Sequence, residues 1–476
     1  MENNLSSHIR SLQYLDKNEL DKQVKLIKQA SEAAQAKIDY ATAHDDNIIL
    51  AIEIIEDFLR KKHRICYGGQ AINAHLPSKY KFYDPNYSIP DYDFFTPNQD
   101  NDIRMIVKDL RKAGFEEISA REGMHEGTVK IYVDYIPVAD ITQIHPSLYR
   151  ILSKKEYRVN GISYMDANTL RMLMYLELSR PRGEVERWPK VYERLLLFNE
   201  FVTKNSCKLK MKYIQMPFIE EEVEYIIKYI IDHKRIFAGA DLVQFYNQTL
   251  EKKKKKLDWI VKTHKPIIFY SSEPEKDAKE IVNELYFKDK IKQSEIGDKI
   301  IPYKIKVYSL KGAELIPTIH VISRNTDQLI FIIHQTACHS YFNIPIHSLH
   351  HYSNSTLRIA SMDTLITLYF SLGLIKSKWL NLGSMECLAN ELVQLNIKAR
   401  KYDNHYVFPF ISILCSGHQT SLPSLIRSKV QRITSKKSKL KELLNTNTYN
   451  RKKYNKIKNT YKNRTKNSNK TFKITF

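Results

Sequence analysis

Two short stretches decide the fold: YGGQAIN at residues 67–73 and PDYDFFTP at residues 90–97. The first follows a short apolar run, so it predicts a strand, a two-glycine turn and then a helix. This order suits an anionic ligand, because glycine lets a ligand approach the backbone and a helix N-terminus presents free N–H groups. In the second stretch Asp91 and Asp93 project from one face of a strand, since side chains alternate along it.

A divalent cation is the simplest reason for two adjacent carboxylates in an otherwise apolar segment. Asp91 and Asp93 repel each other unless a positive charge compensates them. A third acid, Asp140, lies within the apolar run Val138–Thr142 and could complete a site of the kind that uses two Mg²⁺ or Mn²⁺ ions to transfer phosphoryl or nucleotidyl groups. Asp134 is the alternative third carboxylate. Asp140 is preferred because apolar residues flank it on both sides.

These motifs resemble the polymerase-β-like nucleotidyltransferases. Within that superfamily, residues 67–73 and 90–97 are similar to the poly(A) polymerase catalytic subunits of large cytoplasmic DNA viruses, and so is the segment Arg187–Leu195. The resemblance is firm over residues 47–201 and looser to about residue 420. It implies an α+β fold and template-independent addition of AMP from ATP to RNA 3′ ends. A related enzyme with another base choice, or a non-catalytic RNA-binding subunit, is the alternative.

By the same resemblance, Asp91, Asp93 and Asp140 bind the metal ions and perform catalysis, while Gly68 and Gly69 face the ATP phosphates. Many members of the wider superfamily carry Ser after the first glycine, so the hydroxyl contact with phosphate that this Ser makes is in doubt here. Further candidates for nucleotide binding are basic residues on a predicted helical face or loop and two residues suited to adenine: Arg187, Lys190, Arg194, Lys154, Tyr164 and Asn168. For all six, an ordinary structural role is the competing interpretation.

Net charge points to a polyanionic partner. The chain has 476 residues and a formal charge of +22, of which residues 424–476 contribute seventeen Lys or Arg against one acid, Glu442. We expect RNA contacts from two basic clusters: Lys252, Lys253, Lys254, Arg451, Lys452 and Lys453. RNA 3′ ends and ATP are therefore the expected partners, with either a homodimer or a separate processivity subunit.

Cysteine usage and hydropathy bear on the compartment. The five cysteines are scattered and include no CxxC pair, which favours a reducing compartment over a disulfide framework. No apolar run approaches the roughly 20 residues that cross a bilayer, and the N-terminus lacks a secretory pattern. We expect a soluble protein without a membrane partner. With the viral resemblance, this implies a cytoplasmic viral factory and packaging in the virion.

The order of predicted elements divides the chain into five parts. These are an N-terminal helical segment (1–46), a catalytic nucleotidyltransferase domain (47–150), a helical region (151–255), a degenerate nucleotidyltransferase-like domain (256–423) and a basic, flexible tail (424–476). The fourth part is predicted as an inactive copy of the second. A shift of 175 residues aligns Phe94–Thr96 with Phe269–Ser271 and puts Ile268 at the position of Asp93. Met165-Asp166 is echoed by Met362-Asp363, and His334 lies near the counterpart of Asp140.

Overall fold

The computed structural model describes residues 17–202, 220–250, 266–296, 301–310, 315–346, 355–380, 382, 385–401 and 412–438. Two mixed α/β units follow each other along the chain, each built on one twisted sheet. Helix α1 (Lys17–Ala43) precedes the first unit and is largely exposed. Within the described residues, no helix is both long and apolar enough to span a membrane.

Helix α2 (Asp46–Lys62) closes one face of the first sheet. It begins where the Asp45 carboxylate accepts hydrogen bonds from the backbone N–H groups of Asn47 and Ile48, and it ends at His63, which is left-handed. Its apolar residues recur every three or four positions, so they all face the core. The buried set is Ile48, Ala51, Ile52, Ile55, Phe58 and Leu59. The helix predicted from these residues is confirmed.

The first sheet contains seven strands in the order β3-β4-β5-β2-β1-β7-β6. The strands are β1 (Ile65–Tyr67), β2 (Tyr92–Thr96), β3 (Ile118–Glu122), β4 (Thr128–Val133), β5 (Ile136–Gln143), β6 (Tyr157–Val159) and β7 (Ile162–Tyr164). The helices between them are α3 (Gly68–His75), α4 (Gln99–Lys112) and α5 (Pro146–Ser153). Buried Asp102 ties α4 to the sheet by accepting hydrogen bonds from Arg64 Nε (2.7 Å) and Thr96 Oγ1 (2.5 Å).

Two helices follow the first sheet, α6 (Ala167–Leu178) and α7 (Trp188–Phe201). Asp166 caps α6 by accepting from the backbone N–H groups of Asn168 and Thr169. Since β6 and β7 join the first sheet, the region 151–255 is not wholly helical as the sequence suggested. Its far end also belongs elsewhere, because residues 236–237 pair into the second sheet.

The second sheet has the order β10-β11-β12-β9-β8-β14-β13-β15. Its strands are β8 (Ile236–Phe237), β9 (Ile267–Ser271), β10 (Tyr303–Tyr308), β11 (Ile319–Arg324), β12 (Asp327–His334), β13 (His339–Pro345), β14 (Thr356–Ala360) and β15 (Cys415–Ser416). The accompanying helices are α8 (Glu220–Asp232), α9 (Asp241–Leu250), α10 (Pro274–Ile296), α11 (Met362–Gly373) and α12 (Met385–Lys401).

Apart from the added β15, the two sheets have the same strand order. Every corresponding pair also has the same orientation: the β8–β9 pair is antiparallel like β1–β2, and β9–β12 and β8–β14 are parallel like β2–β5 and β1–β7. The three outer pairings, β3–β4, β4–β5 and β6–β7, are antiparallel in both units as well. This is the arrangement that a duplication predicts.

The pairing registers identify equivalent residues. Strands β2 and β9 match at a shift of 175, which places Ile268 at the position of Asp93. The same registers place Phe331 at the position of Asp140, three residues before His334 on β12. Ser361, which caps α11, corresponds to Asp166, so the sequence echo with Met362-Asp363 is two residues out of register.

The registers also move the start of the second unit. Cys66 pairs with Phe94 in the first sheet, and Phe237 pairs with Phe269, the equivalent of Phe94, in the second. Phe237 is therefore the counterpart of Cys66, and Gly239, two residues later, is the counterpart of Gly68. The predicted boundary at residue 256 is therefore too late, and one glycine of the turn is retained.

Two further expectations are corrected near the C-terminus. Cys338, immediately before β13, forms a disulfide with Cys415 of β15, so these cysteines are not free thiols, whereas Cys66 is free and buried. Residues 422–438 form a helix, named α13 here, although the sequence suggested a flexible tail. Arg432 Nη2 of α13 donates to the Met124 carbonyl (3.1 Å), and Lys436 pairs with Glu122, so α13 docks on the first unit.

Candidate active site

The turn between β1 and α3 forms the floor of the site. Gly68 has φ +72°, and a Cβ at this residue would lie 2.2 Å from Asp93 Oδ2. Any larger residue would be strained and would collide with that carboxylate. Tyr67 precedes α3 without a side-chain cap, which leaves the first N–H groups of this helix available for an anion.

Three carboxylates surround this turn. Asp93 on β2 is the register partner of Asp140 on the parallel strand β5, while Asp91 precedes β2 and projects to the same side as Asp93. Tyr92 points the other way, is buried, and donates a hydrogen bond to Glu56 Oε1 (2.6 Å). The alternation predicted for this strand is confirmed.

Burial and mutual repulsion both raise the pKa values of Asp91 and Asp93. Burial, and then the charges of Asp91 and Asp140, raise the pKa of Asp93 to about 7. The Asp91 side chain is exposed, yet desolvation by its surroundings, and then the charge of Asp140, raise its pKa to about 6. Groups pushed away from their ordinary pKa by like charges are typical of functional sites. The arrangement favours a bound cation, which would relieve the repulsion.

The surroundings of Asp140 also indicate that the carboxylates suit a bound cation. Asp140 Oδ2 forms an ion pair with Lys130 Nζ, and Asp140 Oδ1 is buried without a hydrogen-bond partner in the described part of the chain. An orphaned buried carboxylate oxygen beside two more carboxylates suits a hard divalent cation, whose ligands are oxygens. Across the described ranges, no three His, Cys, Asp or Glu side chains already stand as a ready-made metal group. Lys130 takes the role of counter-ion.

The structure separates the two alternatives for the third carboxylate. Asp134 and Tyr135 form the tight turn between β4 and β5, with φ angles of 49° and 66°, and both are exposed. Asp140 instead pairs with Lys130 within the hairpin and with Asp93 on the next strand. Of the two acids, Asp140 is the one brought beside the β2 carboxylates.

The three basic residues predicted to bind the nucleotide lie at the start of α7 or within it. Arg187 forms ion pairs with Glu177 and Glu184, both at 3.2 Å. Its charge offsets only part of the rise in the pKa of Asp93, which burial and then Asp91 and Asp140 cause. The charge of Arg194, then burial and Arg187, lower the pKa of Lys190. The three predicted cations therefore form one cluster.

The remaining nucleotide-binding candidates have structural explanations. Tyr164 is buried on β7 against Tyr92. Asn168 is buried at the start of α6, where its Nδ2 donates to Glu386 Oε1 (2.8 Å) and its Oδ1 accepts from Arg171 (3.1 Å). The reading of adenine expected of Tyr164 and Asn168 is not supported, because their polar atoms serve the fold. Lys154 ends α5 as an exposed C-cap residue.

The basic clusters expected to bind RNA, residues 252–254 and 451–453, lie outside the described residues. Sequence reasoning missed two residues of the site, Lys130 and Tyr83. Lys130 had a weak signal, a single cation in the alternating strand T-V-K-I-Y-V opposite an acid. Tyr83 lies in a loop without a periodic pattern, and only the fold brings its hydroxyl group to Arg194 Nη2, at 3.0 Å.

In this chain an α+β fold brings the carboxylates of β2 and β5 beside a glycine turn. The fold is that of the Megavirus polyadenylate synthase, with a TM-score of 0.65 at 18% identity over 90% of this chain and 84% of that one.

One family model matches part of the chain. Residues 53–184 match the profile of the family described as poly(A) polymerase catalytic subunit. Relatives named for the same subunit are a protein of Acanthamoeba polyphaga mimivirus, 27% identical over 41% of this chain and 35% of its own length, and one of African swine fever virus (isolate Tick/Malawi/Lil 20-1/1983), 28% identical over 35% and 36%. The chain thus spans about a third of the length of these relatives. The predicted resemblance to viral poly(A) polymerase catalytic subunits is confirmed.

Proposed function

We propose that the protein is a polynucleotide adenylyltransferase, which adds AMP from ATP to RNA 3′ ends without a template. The observation that carries the proposal is the placement of Asp93 beside Asp140 and against Gly68, because it joins a cation site to a phosphate-accepting turn. The family match over residues 53–184 supports the choice of reaction.

Asp91, Asp93 and Asp140 would hold two Mg²⁺ or Mn²⁺ ions. Bound there, such ions would lower the pKa of the attacking 3′-hydroxyl and neutralise charge on the departing pyrophosphate. Metal binding to Asp140 would displace Lys130 from this carboxylate. The Lys130 ammonium group would then be free to stabilise the negative charge that develops in the reaction. The N–H groups of α3, with Arg187, Lys190 and Arg194, would orient the triphosphate.

Two alternatives have different chemistry. A related nucleotidyltransferase with another base choice would share the whole site. A non-catalytic RNA-binding subunit would have no need for three crowded carboxylates, two of them with raised pKa values, because such crowding costs stability unless a ligand uses it.

The deciding experiment is extension of a short 5′-labelled RNA with each NTP separately, in Mg²⁺ or in Mn²⁺. We expect a ladder with ATP and little product with the other three nucleotides. A ladder of equal length with CTP, GTP or UTP would replace the proposed base choice, and no extension with any nucleotide in either metal would refute the enzyme.

RNA 3′ ends and ATP are the proposed partners. Processivity would come from a second copy of the chain or from a separate subunit, and the site of action would be the cytoplasm of an infected cell, with packaging in the virion. Gel filtration of the active fraction and immunodetection in purified particles would test these points.

A further inference from the structure

The phenol of Tyr83 occupies the space in which a side chain at residue 69 would lie. A Cβ at Gly69 would lie 2.2 Å from Tyr83 Oη and 3.1 Å from Arg194 Nη1. Gly69 is buried in the first turn of α3, and no left-handed φ explains the choice of glycine there. The steric reason for glycine at this position is therefore the tyrosine hydroxyl.

Two helices hold this phenol in place. The side-chain oxygen of Asn73, on α3, accepts hydrogen bonds from the backbone N–H groups of Phe82 (2.9 Å) and Tyr83 (3.4 Å). Arg194, on α7, donates from Nη2 to Tyr83 Oη at 3.0 Å, and its guanidinium lies 4.8 Å from the Phe82 ring centroid. The hydroxyl is thus preorganised by contacts on both sides.

The Tyr83 phenol lies beside the same glycine pair that faces Asp93. The Asp93 carboxylate fills the space that a side chain at Gly68 would need, and the Tyr83 hydroxyl and Arg194 guanidinium fill that space at Gly69. The glycine pair thus has a carboxylate on one side and a phenol–guanidinium pair on the other. Tyr83 accepts its hydrogen bond from Arg194, and among the described residues its own O–H has no acceptor. A donor hydroxyl and a guanidinium beside an uncapped helix N-terminus match the oxygens of a phosphate chain.

We propose that Tyr83 binds the nucleotide directly: its Oη donates a hydrogen bond to a phosphate oxygen while Arg194 supplies the compensating charge. The identity of the nucleotide as ATP rests on the proposed function, whereas the contact between Tyr83 and a phosphate rests on the geometry alone. A side chain at residue 69 and the hydroxyl of Tyr83 would compete for the same space, so the two positions are coupled.

The test compares four variants: Tyr83→Phe, the double variants Gly69→Ala/Tyr83→Phe and Gly69→Ser/Tyr83→Phe, and the control Tyr87→Phe. Tyr87 lies in the same loop and its ring packs on Tyr40 (centroids 5.7 Å apart), away from α3. The two double variants differ by a single hydroxyl. Circular dichroism and melting temperature establish folding. The readouts are the KM values for ATP and for RNA, and the Kd of Mg²⁺-tripolyphosphate by calorimetry.

A hydrogen bond to a charged phosphate predicts that Tyr83→Phe raises the KM for ATP and the Kd of tripolyphosphate about tenfold or more, with the KM for RNA unchanged. Gly69→Ser/Tyr83→Phe should recover most of this loss and Gly69→Ala/Tyr83→Phe none of it, while Tyr87→Phe resembles the wild type. Equal tripolyphosphate affinity of the wild type and Tyr83→Phe would overturn the inference, as would equal behaviour of the two double variants. Because calorimetry needs no turnover, this result stands apart from a failure of the wild type to extend RNA.

Discussion

Asp93 and Asp140 are register partners on adjacent parallel strands, and Lys130 is the register partner of Asp140 on its other side. Asp140 thus lies between a repelling carboxylate and an attracting ammonium group. The balance explains why this acid can be buried with one unpaired oxygen. A cation bound by these carboxylates would compete with Lys130 for Asp140.

Substitution of the β2 carboxylates should abolish activity without unfolding the protein. Asp91→Ala or Asp93→Ala removes a metal ligand and relieves repulsion, so RNA extension should fall by several orders of magnitude while the melting temperature holds or rises. Asp140→Asn should inactivate equally, whereas Asp134→Asn in the hairpin turn serves as the matched control and should retain activity. Near-native turnover of a folded Asp93→Ala variant would show that the site is misassigned.

Removal of the counter-ion should make the site depend more strongly on metal. In Lys130→Met the three carboxylates lose their ammonium partner, so the metal-free protein should melt at a lower temperature and added Mn²⁺ should raise its melting temperature more than that of the wild type. Differential scanning fluorimetry across a Mn²⁺ titration measures this. Lys112→Met, an exposed lysine on α4, is the control, and identical Mn²⁺ responses of both variants would contradict the competition between Lys130 and metal.

The parts of the site that follow from local sequence could be predicted. Glycines at a strand end and a two-residue spacing of Asp91 and Asp93 fix a turn and a shared face without knowledge of any distant residue. Lys130 could not be placed, because its pairing with Asp140 depends on the hairpin register, which shifts at an irregularity between Ile131 and Tyr132. Tyr83 is held only by tertiary contacts.

The same distinction explains the errors in the second unit. Its first strand has only two residues, Ile236 and Phe237, too few for a recognisable period, so the start of the unit was placed too late. Pairing of Cys338 with Cys415 closes 77 residues of separation, which no local pattern encodes. The aligned strand β9, by contrast, was found because its five residues are buried throughout and repeat the apolar character of β2.

If the second sheet is an inactive copy, equivalent positions should respond oppositely to the same change. Ile268→Ala removes a fully buried side chain and should cost about 2–5 kcal/mol of unfolding free energy, whereas Asp93→Ala at the equivalent position should cost little. Urea denaturation followed by fluorescence measures both. Turnover per folded molecule should survive in Ile268→Ala and be lost in Asp93→Ala. A loss of turnover per folded molecule in Ile268→Ala would assign chemistry to the second sheet.

A buried acid in α11 should make stability depend on pH. Both oxygens of Asp363 lack a partner among the described residues, and burial raises its pKa from 3.8 to about 7. The folded state therefore keeps a proton that the unfolded state loses, so this contribution is complete below pH 3.8 and disappears as the pH rises to about 7. Relative to Asp363→Asn, the wild type should lose up to about 1.4 kcal/mol of unfolding free energy per pH unit in that window.

Tyr246 on α9 is the titratable neighbour of Asp363, and Tyr246→Phe is the control. Parallel stability curves for the wild type and Asp363→Asn would contradict this assignment.

The docking of α13 changes how the basic C-terminus should be tested. Truncation at residue 424 would remove α13 together with its contacts to Glu122 and Met124, and so would perturb the first unit. Deletion of residues 439–476 instead removes twelve Lys or Arg against one acid and leaves α13 intact. Because cations that neutralise phosphates release counterions, this deletion should weaken RNA binding and flatten the slope of log affinity against log salt, with the rate of the chemical step unchanged. Replacement of residues 439–476 by a Gly/Ser segment of equal length controls for chain length. An unchanged salt slope in both variants would exclude these residues from RNA binding.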